Sequence, residues 1–535
     1  MESAVAILPN DIDSLKAIIH ERDQRIATAE KAIRDLSLRL SWSEEKYKAM
    51  ELRYFGRRSE KYTTGDDKQN RLFDEAEAFQ DPAAPPVTEK LVVPSQQRKK
   101  RGRKPKADNL PIREVLHELP ADERRCPSCG DDRPIIGEER SSEYHLVPAH
   151  VEKIVHVRTT YGPCTCDGFE AAGAPSVVTA PGPAKIVPGS DFSNGTIAFF
   201  ITGKYADAVP YYRMAKMLDR SGLAVFRQTL CNLAIGVARG IGDLTKAMNH
   251  DILASTVIQM DETTLQVLKT GEGPPGKSYM WAMRGYYDGK PIVRFAYHAN
   301  RSGAFADALL EGFRGYLQTD GYAGYDHLDR RDGIEHVGCF AHVRRKFVEA
   351  WETAGKTGRA KEAIDMIAGL YAVESSLRED LGAGRISSGE FLGTRRVRAE
   401  PILTKFRAWL DARLLDTAPQ SGLGKAVAYA SKVLPRAMRY VEHELMTPDT
   451  NAIENAIRPF VVGRKNWLFA GSPQGAHSSA ALYSLIETAK ANGHEPYAYL
   501  SHLFDVLPAC QTEAEKRALL PYRLSPVDYS GDNGE

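Results

Sequence analysis

Apolar residues between positions 12 and 50 recur at alternating steps of three and four: Ile12, Leu15, Ile19, Ile26, Ala29, Ile33, Leu36, Leu40, Tyr47 and Met50. With charges flanking it, that spacing predicts the seam of a coiled coil over 10–60, interrupted at d positions by Arg22 and Ser43. The pattern then stops, and 61–111 is polar, charged and punctuated by D-P-A-A-P-P, which predicts a flexible linker. Period-two alternation such as V-E-K-I-V-H-V-R returns within 112–180 and predicts a small β-rich module. Residues 185–250 read as helices, and Y-Y-R-M-A-K-M-L-D-R-S-G-L-A-V-F-R-Q-T-L-C-N-L gives a helix, a turn at Ser221-Gly222 and a second helix.

Strand-like runs begin at 256 with T-V-I-Q-M-D, S-Y-M-W-A-M-R-G-Y-Y and P-I-V-R-F-A-Y, the last two joined by a hairpin signal at Asp288-Gly289. A helix over 302–313, a strand G-Y-L-Q-T-D and a fifth strand before G-C-F-A-H-V-R-R-K-F follow. This is the β-β-β-α-β order of an RNase H-like sheet, in which the first and fourth strands are neighbours. Asp261 and Asp320, each closing an apolar run, would then project toward one point. The next acid in a comparable setting is Glu454, in N-A-I-E-N-A-I-R-P-F. The long step to it predicts a helical insertion, about 352–446, inside a catalytic domain of 251–475, with a C-terminal helical domain over 476–520. The expected fold class is multidomain α+β: an RNase H-like α/β core with a helical insertion, preceded by a coiled coil, a zinc-binding β module and a helix-turn-helix region.

Composition changes this picture in two places. At 535 residues and 42% hydrophobic content the chain holds several cores, and its net charge of +1 conceals a run, R-K-K-R-G-R-K-P-K at 98–106, with seven basic side chains in nine. That run, with Arg101, Arg103 and Lys104, suits a narrow minor groove. No segment approaches the roughly 20 apolar residues of a membrane span, and no secretory signal opens the chain, so a cytoplasmic, nucleoid-associated protein is expected.

Four of the seven cysteines fall in C-P-S-C-G (Cys126, Cys129) and C-T-C (Cys164, Cys166). Two such pairs can hold one structural Zn²⁺ tetrahedrally. Asp261, Asp320 and Glu454 have the chemistry for Mg²⁺ or Mn²⁺: hard cations take oxygen ligands, and two ions about 3.5–4 Å apart can activate an attacking hydroxyl and stabilise a leaving oxygen. Glu262, Asp288 and Asp326 are assigned to solvated surface groups or caps. DNA contacts are expected from Arg227 and Gln228 early in the second helix of the helix-turn-helix, from His342, Arg344 and Arg345, and from Arg458, Arg464, Lys465 and Trp467, the last by base stacking.

The motifs Q-M-D-E-T, L-Q-T-D-G-Y-A-G-Y, G-C-F-A-H-V-R-R-K-F, N-A-I-E-N-A-I-R-P-F-V-V-G-R-K-N-W-L-F-A-G-S and S-L-I-E-T-A-K-A-N-G-H-E-P-Y-A-Y-L closely resemble those of insertion sequence 66 family transposases. The resemblance covers nearly the whole chain. It implies an Asp-Asp-Glu transposase acting on the terminal inverted repeats of a mobile element and joining 3′-hydroxyl ends to target DNA. Asp261, Asp320 and Glu454 match its catalytic positions, and Cys126 and Cys129 its first zinc pair; Cys164-Thr165-Cys166 departs from the usual two-residue spacing. The partners expected are double-stranded DNA, further copies of the chain through the coiled coil, and accessory proteins of the same element. The alternatives are an RNase H-like structure-selective nuclease that only hydrolyses, and a catalytically inactive DNA-binding regulator.

Overall fold

A computed structural model of the chain describes residues 11–55, 150–161, 177–268 and 277–526. The basic run with Arg101, Arg103 and Lys104, and the four cysteines Cys126, Cys129, Cys164 and Cys166, lie outside the described residues. Helix α1 (Ile12–Phe55) is continuous, and Ile12, Ile19, Ile26, Ile33, Leu36, Leu40 and Tyr47 stand exposed on it. Strands β1 (Thr160–Tyr161) and β2 (Val178–Thr179) form a short antiparallel ladder. The alternating run at 151–158, expected as a strand, is not one. All of its residues are exposed, so its apolar positions have no surface to bury against.

Helices α2 (Asn194–Tyr205), α3 (Tyr211–Arg220), α4 (Arg227–Gly240) and α5 (Gly242–Leu253) follow. Met214 and Leu218 of α3 and Leu230, Leu233 and Val237 of α4 are buried, and Gly222 turns the chain between the two helices at φ 85°. That is left-handed backbone which glycine takes without steric cost.

The central sheet comprises β3 (Val257–Val267), β4 (Lys277–Tyr287), β5 (Lys290–His298), β6 (Gly315–Gln318) and β7 (Ile334–Val337), with helix α6 (Gly303–Leu309) between β5 and β6. Its order is β5-β4-β3-β6-β7; the β3, β4 and β5 pairings are antiparallel, and β6 joins both β3 and β7 in parallel. The expected hairpin is present, with Asp288 at φ 49° and Gly289 at φ 73°. The first and fourth strands of the sheet are neighbours, as the element order required. Two boundaries differ. Strand β3 runs past Asp261 to Val267, because Glu262 to Gln266 keep pairing with β4 and the end of the strand pairs with Phe469–Ala470. Strand β6 stops at Gln318, so Asp320 stands just beyond a strand end.

Helices α7 (Phe340–Thr353), α8 (Ala360–Gly382), α9 (Ser388–Asp416) and α10 (Gly422–Ala437) build a core of their own around Phe347, Leu370, Phe406 and Val427, into which Val257 and Val337 of the sheet also project. The chain then returns through α11 (Asn451–Trp467), β8 (Phe469–Ala470), α12 (Pro473–Ala491), α13 (Pro496–Val506) and α14 (Glu513–Ala518). One continuous core joins α2 to α5, the sheet, α11, α12 and α13, so the expected boundaries at 250 and 476 do not separate independent cores.

Helix α12 closes the open edge of the sheet. The Val293 N–H donates to Thr488 Oγ1 at 2.9 Å and the Thr488 hydroxyl donates back to the Val293 carbonyl at 2.9 Å; the Phe295 N–H donates to Ser484 Oγ at 2.7 Å; and Asn492 Nδ2 reaches the Pro291 carbonyl at 2.8 Å. Residues 484, 488 and 492 recur every four positions, on one helical face, and so serve alternate residues of an edge strand. Thr488→Val keeps the shape and removes the hydroxyl. Because it strands a buried backbone N–H and C=O, it is expected to destabilise the protein by about 1–3 kcal/mol, read as a lower urea midpoint at unchanged m-value.

Candidate active site

Asp261 and Asp320 are placed by a shared device. Gln259 and Gln318 lie opposite each other on β3 and β6, and each precedes its aspartate by two residues. Gln259 Nε2 donates to Gln318 Oε1 at 2.8 Å and to the Asp449 carbonyl at 3.3 Å, while Gln318 Nε2 donates to the Thr447 carbonyl at 2.7 Å. Gln259 Oε1 is buried without a donor. The amide pair therefore ties both strands to the segment that leads into α11. Its signal was present in the sequence as Q-M-D and Q-T-D, though residue type alone assigned no role to either glutamine.

Glu454 lies in the first turn of α11 and is only 3% exposed. The turn is fixed from upstream: Asp449 accepts from the Asn451 N–H at 3.0 Å and from Asn451 Nδ2 at 2.7 Å, and the Thr450 hydroxyl donates to Glu454 Oε1 at 3.1 Å. Thr450 also points its N–H and hydroxyl at the buried Sγ of Cys339, at 3.4 and 3.3 Å. Burial first, then the nearby Asp449 and Glu454 charges, push that thiol up to about 12, so Cys339 is a packing group. Burial also raises the Asp449 carboxyl. Its two bonds from Asn451 hold the residue that opens the helix, with Thr450 in the cap position between them.

The three acids share an electrostatic environment. Burial, followed by repulsion from Glu262, Asp320 and Glu454, holds the Asp261 carboxyl well above the usual carboxylate range. Asp261 Oδ1 accepts the Glu262 N–H at 2.8 Å and Asp320 Oδ1 accepts the Tyr322 N–H at 3.0 Å; none of the three acids forms an ion pair among the described residues. Among those residues, no three His, Cys, Asp or Glu side chains stand close enough together to ligate a single ion. The donor set is nonetheless carboxylate oxygen, which is what Mg²⁺ or Mn²⁺ takes.

Glu262 is not the solvated group expected. Its side chain is 1% exposed, and it accepts from the Arg301 guanidinium and the Tyr325 hydroxyl. Burial raises its carboxyl and Arg301 and Tyr325 oppose the rise. Arg301 also lies over the Tyr322 ring at 3.4 Å, so one arginine joins Glu262 to the loop that carries Asp320. Asp326 is likewise engaged, with Lys432 at 2.8 Å and Arg436 at 2.8 Å on α10, whereas Asp288 is the hairpin residue already described. Gly321 is held by contact: a Cβ there would collide with the Tyr429 ring of α10.

The expected DNA-contacting residues divide in two. Arg227 and Gln228 are exposed at the start of α4, Arg458 is exposed on α11, and Lys465 is exposed near its end. His342, Arg344 and Arg345 lie half-buried on α7, the Nδ1 of His342 without a partner and the Arg345 charge within reach of the Tyr429 corner beside Asp320. Arg464 is turned onto its own sheet, donating to Thr263 Oγ1 at 3.1 Å and to the Thr264 carbonyl and hydroxyl. Trp467 is half-buried against Phe460, at 5.5 Å between ring centres, and faces the Lys204 ammonium at 5.3 Å.

Residues 189–478 match the family described as Transposase IS66 family. The chain belongs to that family. Its residues 484–522 match the IS66 C-terminal element and residues 42–115 match a segment described as Transposase C of IS166 homeodomain. Relatives include three uncharacterised proteins of Sinorhizobium fredii: y4qI, 28% identical over 98% of each chain; y4jD, 28% identical over 77% of this chain and 80% of its own; and y4hP, 25% identical over 81% and 78%. The transposase carries Asp261, Asp320 and Glu454 within the 189–478 match. No helix among its described residues is long and apolar enough to cross a membrane.

A carboxyl held above its unfolded value favours the protonated folded state. The resulting penalty is absent below the ordinary carboxylate range and grows as pH rises through the raised pKa. In chelator at neutral pH, Asp261→Asn is therefore expected to melt at a higher temperature than the unsubstituted transposase, with the gap closing as pH falls toward about 4. Thermal melts across that window check it.

Proposed function

We propose that the transposase binds the terminal inverted repeats of its mobile element and cleaves and joins DNA strands at Asp261, Asp320 and Glu454, on a sheet of RNase H-like type. One observation supports this most: Asp261 on β3 is repelled by Asp320, just past the end of the neighbouring strand, and by Glu454 on the returning helix, and none of the three forms an ion pair among the described residues. Bound Mg²⁺ or Mn²⁺ would supply the missing charge, activate the attacking hydroxyl and stabilise the leaving oxygen.

The chain's own residues set the geometry. The Gln259–Gln318 pair fixes the spacing of the two aspartates, and Thr450 aims one oxygen of Glu454. In cleavage, water attacks the phosphorus and the 3′-oxygen leaves; in joining, that 3′-hydroxyl attacks a target phosphodiester and the target's 3′-oxygen leaves. Arg344 and Arg345, at the start of α7, offer charge to the incoming phosphates. The exposed apolar stripe of α1 suits pairing with a second copy, which would bring two DNA ends together. Cys126, Cys129, Cys164 and Cys166 are proposed to hold a structural Zn²⁺, and Arg101, Arg103 and Lys104 to lie along DNA.

The decisive experiment incubates purified protein with labelled duplexes of the inverted repeats flanking its gene, with and without Mg²⁺. Strand-transfer products are expected with Mg²⁺ and are expected to fall by about 10³-fold or more in Asp261→Asn, Asp320→Asn or Glu454→Gln, since each removes several kcal/mol of transition-state stabilisation. Hydrolysis without transfer would indicate a nuclease instead. Binding that leaves the DNA intact in all four proteins would indicate a regulator.

A further inference from the structure

Helix α11 begins at a catalytic acid and ends in an exposed apolar tip. Leu468, just past the helix, is 63% exposed and adopts φ 67°, ψ −49°; Phe469 beside it is 41% exposed. A leucine rarely takes that backbone, and residues held so tend to occur where function requires a fixed direction. The chain is held there by its neighbours: the Leu468 N–H donates to the Arg464 carbonyl at 2.7 Å, and Phe469 and Ala470 pair with Gln266 and Val267 at the far end of β3. The tip is thus fixed to the same strand that bears Asp261.

The exposed face of α11 between Glu454 and this tip is polar and basic apart from Val462. Asn455, Arg458, Val462 and Lys465 are exposed at steps of three and four, and Glu454 is the sole acid in the helix. Arg458 forms no ion pair among the described residues. A stripe of this kind suits the phosphates of one strand and repels nothing anionic. Apolar side chains at the end of such a track match the wedges that proteins insert between base steps. Trp467, the residue whose type pointed to stacking, is instead packed against Phe460 and Lys204.

We infer that Leu468 and Phe469 form a wedge that unstacks the terminal duplex, with α11 as the track that sets its distance from the cleaved phosphate. The inference rests on the transposase acting on DNA ends at Asp261, Asp320 and Glu454. The 14 residues from Glu454 to Leu468 rise about 21 Å at 1.5 Å each, which corresponds to roughly six base pairs of duplex at 3.4 Å per step.

The test uses full-length protein and inverted-repeat duplexes carrying 2-aminopurine at single positions within the first ten or so base pairs. A several-fold fluorescence rise centred about six base pairs inside the end is expected. It should be lost in Leu468→Ala/Phe469→Ala and in Leu468→Gly, and kept in Val397→Ala, which alters an exposed residue of α9. Leu468→Gly should melt at or above the parent temperature, because glycine accepts the left-handed backbone, so loss of signal in it cannot be ascribed to misfolding. If the unsubstituted protein joins the duplex with no fluorescence rise, or the rise survives in both variants, the wedge is wrong while the transposase reading stands. If it neither prefers nor joins the terminal duplex, that reading fails and the wedge with it.

Discussion

Gln318 is fully buried and holds three separated segments of chain in one place. Its carbonyl accepts from Gln259 on the neighbouring strand, and its amide donates to Thr447 just ahead of α11. Side chains in a strand alternate faces, so Gln259 points to the same side as Asp261 two residues on, while Gln318 is the last residue of β6 before the chain leaves the sheet toward Asp320. The bonds that hold the strands to the α11 segment therefore also decide which way Asp261 faces and where the chain leaves β6 for Asp320. A net buried hydrogen bond is worth about 1 kcal/mol, but leaving one of these amides unpaired would cost more, and that asymmetry makes the arrangement specific. Register follows from it as well: a one-residue slip of β6 would turn Gln318 to the other face and break the amide pair.

The helical insertion braces this junction from the other side. Arg395, with no exposed surface, donates to Glu374 and to the carbonyls of Tyr440, His443, Glu444 and Met446, and Arg378 shares Glu374 and the last two carbonyls. Burying a guanidinium is costly unless its donors are met. Here Nη1 and Nη2 are met by Glu374 and by the turn that precedes Asp449 and Glu454, while Nε has no partner, so the cost is offset in part and only when that turn is in place. Tyr371 of α8 lies beside Asp449, and Tyr429 of α10 packs onto Gly321 next to Asp320. Ion pairs from Lys432 and Arg436 to Asp326 and Asp329 add a further tie. The insertion thus bears on two of the three acid-bearing segments while contributing none of the acids.

Strand order, the Asp288-Gly289 hairpin and the returning helix were legible because each has a local signature: alternation, a turn dipeptide, helical spacing. The strand at 151–158 was misread for the same reason, since alternation reports a two-faced surface only where something covers one face. Position 467 shows a second limit. Indole suits base stacking, but whether it faces solvent depends on Lys204 and Phe460, which lie far away or one helical turn or more behind. Glu262 shows the same limit in reverse: nothing local marks it as buried, because its partner Arg301 arrives from a loop 39 residues later. Gln259 and Gln318 were readable as a repeated spacing, yet their role depends on the Thr447 and Asp449 carbonyls, whose approach follows the whole insertion.

Charge matching across the rest of the fold gives the acidic site its meaning. Glu262 is met by Arg301, Glu374 by Arg395 and Arg378, Asp251 by Arg517 and Arg523, and Glu487 by Lys490. Asp449 is met by amide donors and placed at a helix start. Among the described residues the chain therefore supplies a cation to Glu262, Glu374, Asp251 and Glu487, whereas Asp449, held by Asn451, stays raised by burial and by Glu454 and Glu374. At Asp261, Asp320 and Glu454 it supplies one backbone N–H, another backbone N–H and a hydroxyl, and leaves the repulsion in place. Arg301 forms its ion pair with Glu262, and only its longer-range charge acts on Asp320. Repulsion retained around Asp261, in a fold that pairs Glu262, Glu374, Asp251 and Glu487 with cations, is the physical condition for a site whose counter-charge comes from outside the chain.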